Sequence, residues 1–261
     1  MNKKAVNNTH SSTYIFVYIS LMLTALFPLG SLAVQSNISN IGILSAEVVD
    51  KTLWKTWKED NNIHVAYHKS KNSPLIEIKV NTTIQSSLSS FLLFIQDTKN
   101  MPLWLDNAHS SQVIENISPQ ENLFIVNFNS FWPVSERYML INSRHWQNDD
   151  LSVEIQVEDV NKPAYLQNNM IKIEVIKAHW LIKPVDNGNI NITYTVIADP
   201  KGIIPHWIVK RISLNSLWKT MNNMYEQLPL SNWQTHTLPY IIENNSVKGI
   251  KDKKKPSTQF E

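Results

Sequence analysis

The chain has 261 residues, with 24 Lys+Arg against 22 Asp+Glu, and is 43% hydrophobic and 10% aromatic. That supplies a sizeable core for one domain of about 200 residues with tails, or for two small ones, and excludes disorder by composition. There is no cysteine, so disulfide frameworks, Cys-ligated metal sites and thiol nucleophiles are excluded. Gly30, Gly42, Gly188, Gly202 and Gly249 are the only glycines. They are too scattered for a G-x-G-x-x-G turn, a P-loop or a G-x-S-x-G elbow. Nucleotide enzymes of the Gly-loop types and α/β-hydrolases therefore have no support.

Lys3 and Lys4 precede an uncharged, apolar run over residues 14–29, which ends at Ser31-Leu32-Ala33. Positive n-region, apolar h-region and small residues before Val34 predict a secretory signal over 1–33, cleaved before Val34. The run is shorter than the roughly 20 residues of a spanning helix. An uncleaved anchor is the competing reading. The cleaved pattern implies a secreted or periplasmic protein. Lys248, Lys251, Lys253, Lys254 and Lys255 crowd the other end, and between them the body holds 17 basic and 20 acidic residues. A nucleic-acid footprint is absent. The basic tail reads as a solvated end, with contact to anionic headgroups as the alternative.

Residues 34–47 read as a linker. Val48, Val49, Leu53, Trp54 and Trp57 fall at helical spacing and predict an amphipathic helix over 48–58. His64 to His68 is a short strand candidate. Ile76, Ile78, Val80 and Ile84 alternate with polar residues, as in a half-buried strand. Leu88, Phe91, Leu92 and Ile95 then predict a helix to about Thr98, with Pro102 blocking continuation. From Ser111 strands follow one another: residues 112–117, 124–128, 138–146 and 151–158, then one from Ile171. In this last strand the apolar phase slips at Ile176, which predicts a bulge. Asp186-Asn187-Gly188-Asn189 is a turn before the strand of Ile190, Ile192, Tyr194 and Val196. Leu217, Met221, Met224 and Leu228 form the stripe of a final helix, ended by Pro229. Antiparallel strands with segregated helices predict an α+β fold. A sheet crossed by a terminal helix can leave an apolar space, but periodicity alone equally fits a filled core.

Four stretches are distinctive: Asp199-Pro200-Lys201-Gly202-Ile203-Ile204-Pro205-His206-Trp207, Trp132-Pro133-Val134-Ser135-Glu136-Arg137-Tyr138-Met139, Trp180-Leu181-Ile182-Lys183-Pro184, and Trp54 through Asp60-Asn61-Asn62-Ile63-His64-Val65. In order and spacing they resemble the START (StAR-related lipid-transfer) domain in its bacterial secreted form, over residues 48–230. The resemblance implies a helix-grip fold, with a long C-terminal helix over a curved antiparallel sheet closing a tunnel for one lipid or sterol. It leaves 231–261 as a polar and basic tail. The family often has Asp where this chain has Tyr138, and Asn where it has Lys210.

The candidate ligand-binding residues are Arg137, Asn142, Trp180, Trp207, Leu217, Met221 and Met224. Arg137 reads as a headgroup partner or as a loop anchor. Asn142, or Ser143 one residue on, would suit an uncharged headgroup; a one-residue slip exchanges inside for outside. Trp180 and Trp207 match family positions, and the helix stripe would form the tunnel's lid. Asp199, Pro200, Gly202 and Pro205 read as turn residues. No metal, cofactor or catalytic residue is indicated: His64 and His68 stand roughly 13 Å apart in a strand, and no acid is paired with a base or nucleophile. The expected partner is a lipid or sterol, with transient membrane contact, no nucleic acid and a monomeric state. A helix-grip cyclase or hydrolase and a membrane-tethered interaction module are the alternatives. A polar pair converging inside the cavity would mark the enzyme, and an intact N-terminus the tethered module.

Overall fold

The computed structural model describes residues 54–70, 73–131 and 134–244. The expected signal (1–33), the linker (34–47), residues 48–53, Trp132, Pro133 and the basic run from 245 lie outside the described residues. Ten strands form one curved sheet: β1 (Lys55–Asp60), β2 (Ile63–Lys69), β3 (Ile76–Gln85), β4 (Ala108–Ser118), β5 (Glu121–Phe128), β6 (Arg137–Gln147), β7 (Val153–Asp159), β8 (Ile171–Lys172), β9 (Glu174–Val185) and β10 (Asn189–Asp199). The spatial order is β1-β2-β3-β10-β9-β7-β6-β5-β4, antiparallel throughout, while β8 pairs in parallel with the start of β6. Among the described residues the helices are α1 (Leu88–Gln96), α2 (Met101–Trp104) and the long α3 (His206–Gln227). The expected α+β helix-grip architecture is present.

One element differs from expectation. Residues 55–58 are not helical but belong to β1, paired with β2. The two strands turn through Asn61 and Asn62, both left-handed (φ 47° and 66°). Two such residues between paired strands make a tight hairpin whose twist matches the strands, and this local geometry outweighs the helical spacing. Pro102 also acts otherwise than expected. α1 ends at its cap Asp97, and Pro102 opens the separate short helix α2, where its missing N–H costs nothing. The slip at Ile176 is a bulge: Ile197 pairs with Lys177 and Ala198 with Val175, which leaves Ile176 unpaired.

The main core lies on one face of the sheet. Ile63, Val65, Val80, Ile155, Ile182 and Ile192 meet Leu88, Phe91 and Leu92 of α1 and Leu214, Met221 and Met224 of α3. A second cluster, Leu123, Ile125, Tyr138 and Leu140, occupies the other face beneath Val160, Tyr165 and Met170. Tyr138, where the resemblance leads one to expect Asp, serves this outer cluster.

The domain runs past the expected limit at 230. Trp233 donates its indole N–H to Asp97 (3.1 Å), and Leu238 donates its amide N–H to the Ser89 hydroxyl (3.1 Å). Ile241 is buried. The Glu243 carboxylate accepts from the amides of Leu88 (3.1 Å) and Ser89 (2.8 Å) at the α1 N-terminus, where free N–H groups and the helix dipole favour an anion. Glu243→Ala is expected to lower the unfolding free energy by about 1–2 kcal/mol in urea denaturation; an unchanged midpoint would contradict this capping role.

Candidate functional site

The sheet and α3 do not close fully on each other. Between them is a cavity of about 290 Å³, near the lower end of the roughly 300–1,000 Å³ usual for small-molecule pockets. Strand alternation decides which side chains face it. Phe124 and Val126 come from β5, Met139, Ile141, Ser143 and His145 from β6, and Ile155 and Val157 from β7. Ala178 and Trp180 come from β9, and Tyr194, Val196 and Ala198 from β10. From α3 come Val209, Ser213, Ser216, Leu217, Thr220 and Met221, which repeat at helical spacing and so share one face. Among the described residues, no Asp, Glu, Lys or Arg lines this cavity.

Trp180 and Tyr194 are cross-strand partners whose rings stack at 3.9 Å between centroids. Tyr194 is only half-buried, yet desolvation pushes its phenol pKa well above the usual tyrosine range. Both observations hold where the accessible surface of the ring faces an interior space. A second space of about 530 Å³ lies beside the start of α3 and shares Ala198, Val209, Ser213 and Ser216 with the first.

Arg137 is buried at this second space. Its guanidinium donates to the carbonyls of Ser135 (2.6 Å), Pro200 (3.0 Å) and Lys201 (3.2 Å). It is the loop anchor of the two readings. Gly202 is left-handed (φ +77°), and a Cβ there would stand 3.2 Å from Ile171 and 3.4 Å from the Arg137 guanidinium. Glycine is needed for both the turn and this close approach. Asp199 accepts from the Lys201 amide (2.8 Å), so the Asp-Pro-Lys-Gly segment is the turn it was read to be.

The other candidates divide. Trp180, Leu217 and Met221 line the cavity. Asn142 does not: it points to the opposite face and donates to Glu121 (2.7 Å), and Ser143 faces inward instead. The phase of β6 is the cause, one residue of slip having exchanged the faces. Trp207 is 69% exposed. It lies two residues before Val209, about 200° round the helix from the lining stripe. Met224 is fully buried in the main core, not at the cavity.

Of the polar wall residues, Ser143 was named from the sequence, while His145, Asn122 and Thr220 were not. His145 is 4% exposed, lines the cavity, and its Nε2 has no hydrogen-bond partner. Burial lowers its pKa from 6.5 to about 4, so the imidazole is neutral near pH 7. Its signal in the sequence was its phase: it follows Met139, Ile141 and Ser143 at period 2. Asn122 lines the cavity directly across from Ser143. Thr220 accepts from the Asp106 amide (3.0 Å), which ties α3 to the loop after α2.

The START domain family model matches residues 43–233, and the chain belongs to that family. An uncharacterised protein of Pseudomonas aeruginosa is 19% identical over 176 residues, covering 66% of this chain and 84% of the relative. Human START domain-containing protein 10 is 25% identical over 125 residues, covering 47% of this chain but 38% of that protein. Among solved structures, the STAR-related lipid transfer protein fragment of Xanthomonas axonopodis superposes with a TM-score of 0.60 at 22% identity, covering 68% of this chain and 99% of that one. Human STARD10 gives 0.61 at 16% identity, covering 74% and 81%. At these identities the structural likeness is one of fold.

The buried histidine has a signature in acid. Its folded-state pKa is depressed, so the unfolded chain takes up the proton first as pH falls. The associated stability is complete above about pH 6.5 and is lost toward about pH 4, by about 3 kcal/mol. The difference in unfolding free energy between wild type and His145→Leu is expected to fall by that amount from pH 7 to pH 4. A difference independent of pH would contradict the buried neutral state.

Proposed function

We propose that this protein binds one lipid or sterol-like molecule in a tunnel between the sheet and α3, and transfers it without chemical change. The observation that carries this reading is the cavity wall: apolar and aromatic side chains from seven strands, the two short helices and one face of α3, with neutral polar groups and no charge among the described residues. Burial of an apolar ligand is favourable by about 25 cal/mol per Å², and the few polar groups would set its orientation. Met221 and Met139 add unbranched side chains that adapt to ligand shape.

The polar wall supports binding in preference to acid–base catalysis. His145 lines the cavity with no carboxylate beside it on the wall, so it lacks the orienting partner that a general base uses. Exchange of ligand would require α3 or the loop before it to move aside. Ile203 is fully exposed and Trp207 is 69% exposed where α3 begins. These side chains would meet a membrane surface transiently during exchange. A secreted or periplasmic location fits the N-terminal pattern, which the sequence alone supplies.

The test fills the space. Ala178 lies on the wall between Val157 and Val196 of the neighbouring strands. In a close-packed core, Ala178→Phe would cost about 1–3 kcal/mol of overpacking. In a ligand cavity it is expected to leave the melting temperature of the lipid-free protein unchanged or raised, and to abolish lipid retention in native mass spectrometry. A wild-type protein that neither retains nor extracts any lipid or sterol would defeat the proposal, as would a variant that binds lipid as well as wild type.

A further inference from the structure

We propose that the cavity has a second mouth, at the end of β6 far from the start of α3, and that residues 238–243 close it as a detachable strap. The mouth gives water and small solutes a way into the cavity that does not involve α3. It goes beyond the lipid-binding reading and is a property of the protein without ligand.

His145 marks the place. It follows Arg137 along β6 by roughly 26 Å, at the opposite end from the turn that starts α3. It lines the cavity and also an open outer cleft, which holds Gln120, Arg144, Gln147, Asn148 and Asp149. Among the described residues, no other lines both spaces. One imidazole therefore separates the apolar interior from a polar cleft. Tyr240 covers that imidazole, with ring centroids 5.9 Å apart. Its neighbour Ile241 is buried in the main core, and both line the cleft.

The strap is held through side chains. The Leu238 amide donates to the Ser89 hydroxyl, and the Tyr240 hydroxyl donates to the Pro119 carbonyl at 3.3 Å. The Gln147 amide group donates to the Ile242 carbonyl and accepts from the Ile242 amide, both at 2.8 Å. Glu243 accepts from the amides of Leu88 and Ser89. None of these is a main-chain ladder bond, and those of Gln147 and Tyr240 lie at exposed positions. Thr237 and Pro239 are exposed as well. A segment held in this way opens at a lower free energy than the core it covers. The His145 Nε2 holds no hydrogen bond that would resist rotation of the ring once Tyr240 lifts. The strap also lies beyond residue 233, where the match to the family model ends.

The test uses the full chain, freed of lipid, and diethylpyrocarbonate at pH 7. This small reagent acylates a neutral imidazole nitrogen, with loss of carbon dioxide and ethanol, and peptide mapping reads the rate at His145. In wild type, His145 is expected to react at a rate nearly independent of urea below the unfolding transition, the mark of local opening. E243A loosens the strap and is expected to raise that rate about tenfold. Q147A releases Ile242 and is expected to act in the same direction. I182V lowers global stability in the core without touching the strap, and is expected to leave the rate within about twofold of wild type. Equal acceleration by E243A and I182V would mean that His145 is reached only by global unfolding, and would overturn the proposal. A rate unchanged in both E243A and Q147A would mean entry by another route, and would overturn it too. Neither result depends on whether the protein binds lipid.

Discussion

The direction in which α3 leaves the sheet is fixed by one buried guanidinium. Arg137 starts β6 and spends its donors on the carbonyls of Ser135, Pro200 and Lys201. It thereby ties the middle of the sheet to the turn between β10 and α3. A lysine ammonium has no planar fork and could not satisfy the same set of carbonyls. The turn itself uses a left-handed Lys201 and Gly202 (φ 55° and 77°), and Lys201 also bridges Glu174 and Asp199. From this corner α3 crosses the curved sheet. Because the helix is held at its start here and packed by Met221, Met224 and Leu228 at its far end, the space between need not be filled by side chains.

An unfilled apolar space is costly to a folded protein, since its lining atoms forgo dispersion contacts that close packing would supply. This chain keeps the cost tolerable with aromatic pairing in the wall. Trp180 stacks on Tyr194 and leans on Phe91 of α1. An apolar ligand would restore the missing contacts.

Much of the fold was legible in the sequence because local periodicity and turn chemistry agreed with it. Ile76 to Ile84 alternate, the phase slip at Ile176 is a real bulge, and Leu217 to Leu228 form a helix stripe. Failure came where pattern and partner diverged. β1 is a mostly exposed edge strand, so it carries no alternating apolar signal. Asn61-Asn62 was its hairpin signature, and helical spacing of tryptophans obscured it. α1 is buried on more than one face, including Ser89 and Ser90, because residues 233–243 cover it. Nothing local to residues 231–244 announces that long-range contact. The site was half legible. The lid residues followed from the stripe, but Asn142 fell on the wrong side of β6 because strand phase is set by pairing. Trp207 matched a motif yet points outward. His145 carried only its phase on β6 in the sequence, and the burial that makes it unusual arises only in the fold.

The proposed site for a lipid or sterol-like molecule lies between the inner face of the sheet and α3. Photocrosslinking with a diazirine-bearing sterol or diacylglycerol, followed by peptide mapping, reads that placement directly. Adducts on Trp180, Tyr194, Leu217 and Met221 are the predicted result. Adducts confined to Ile203, Trp207 and other outer residues, with the wall unlabelled, would contradict it.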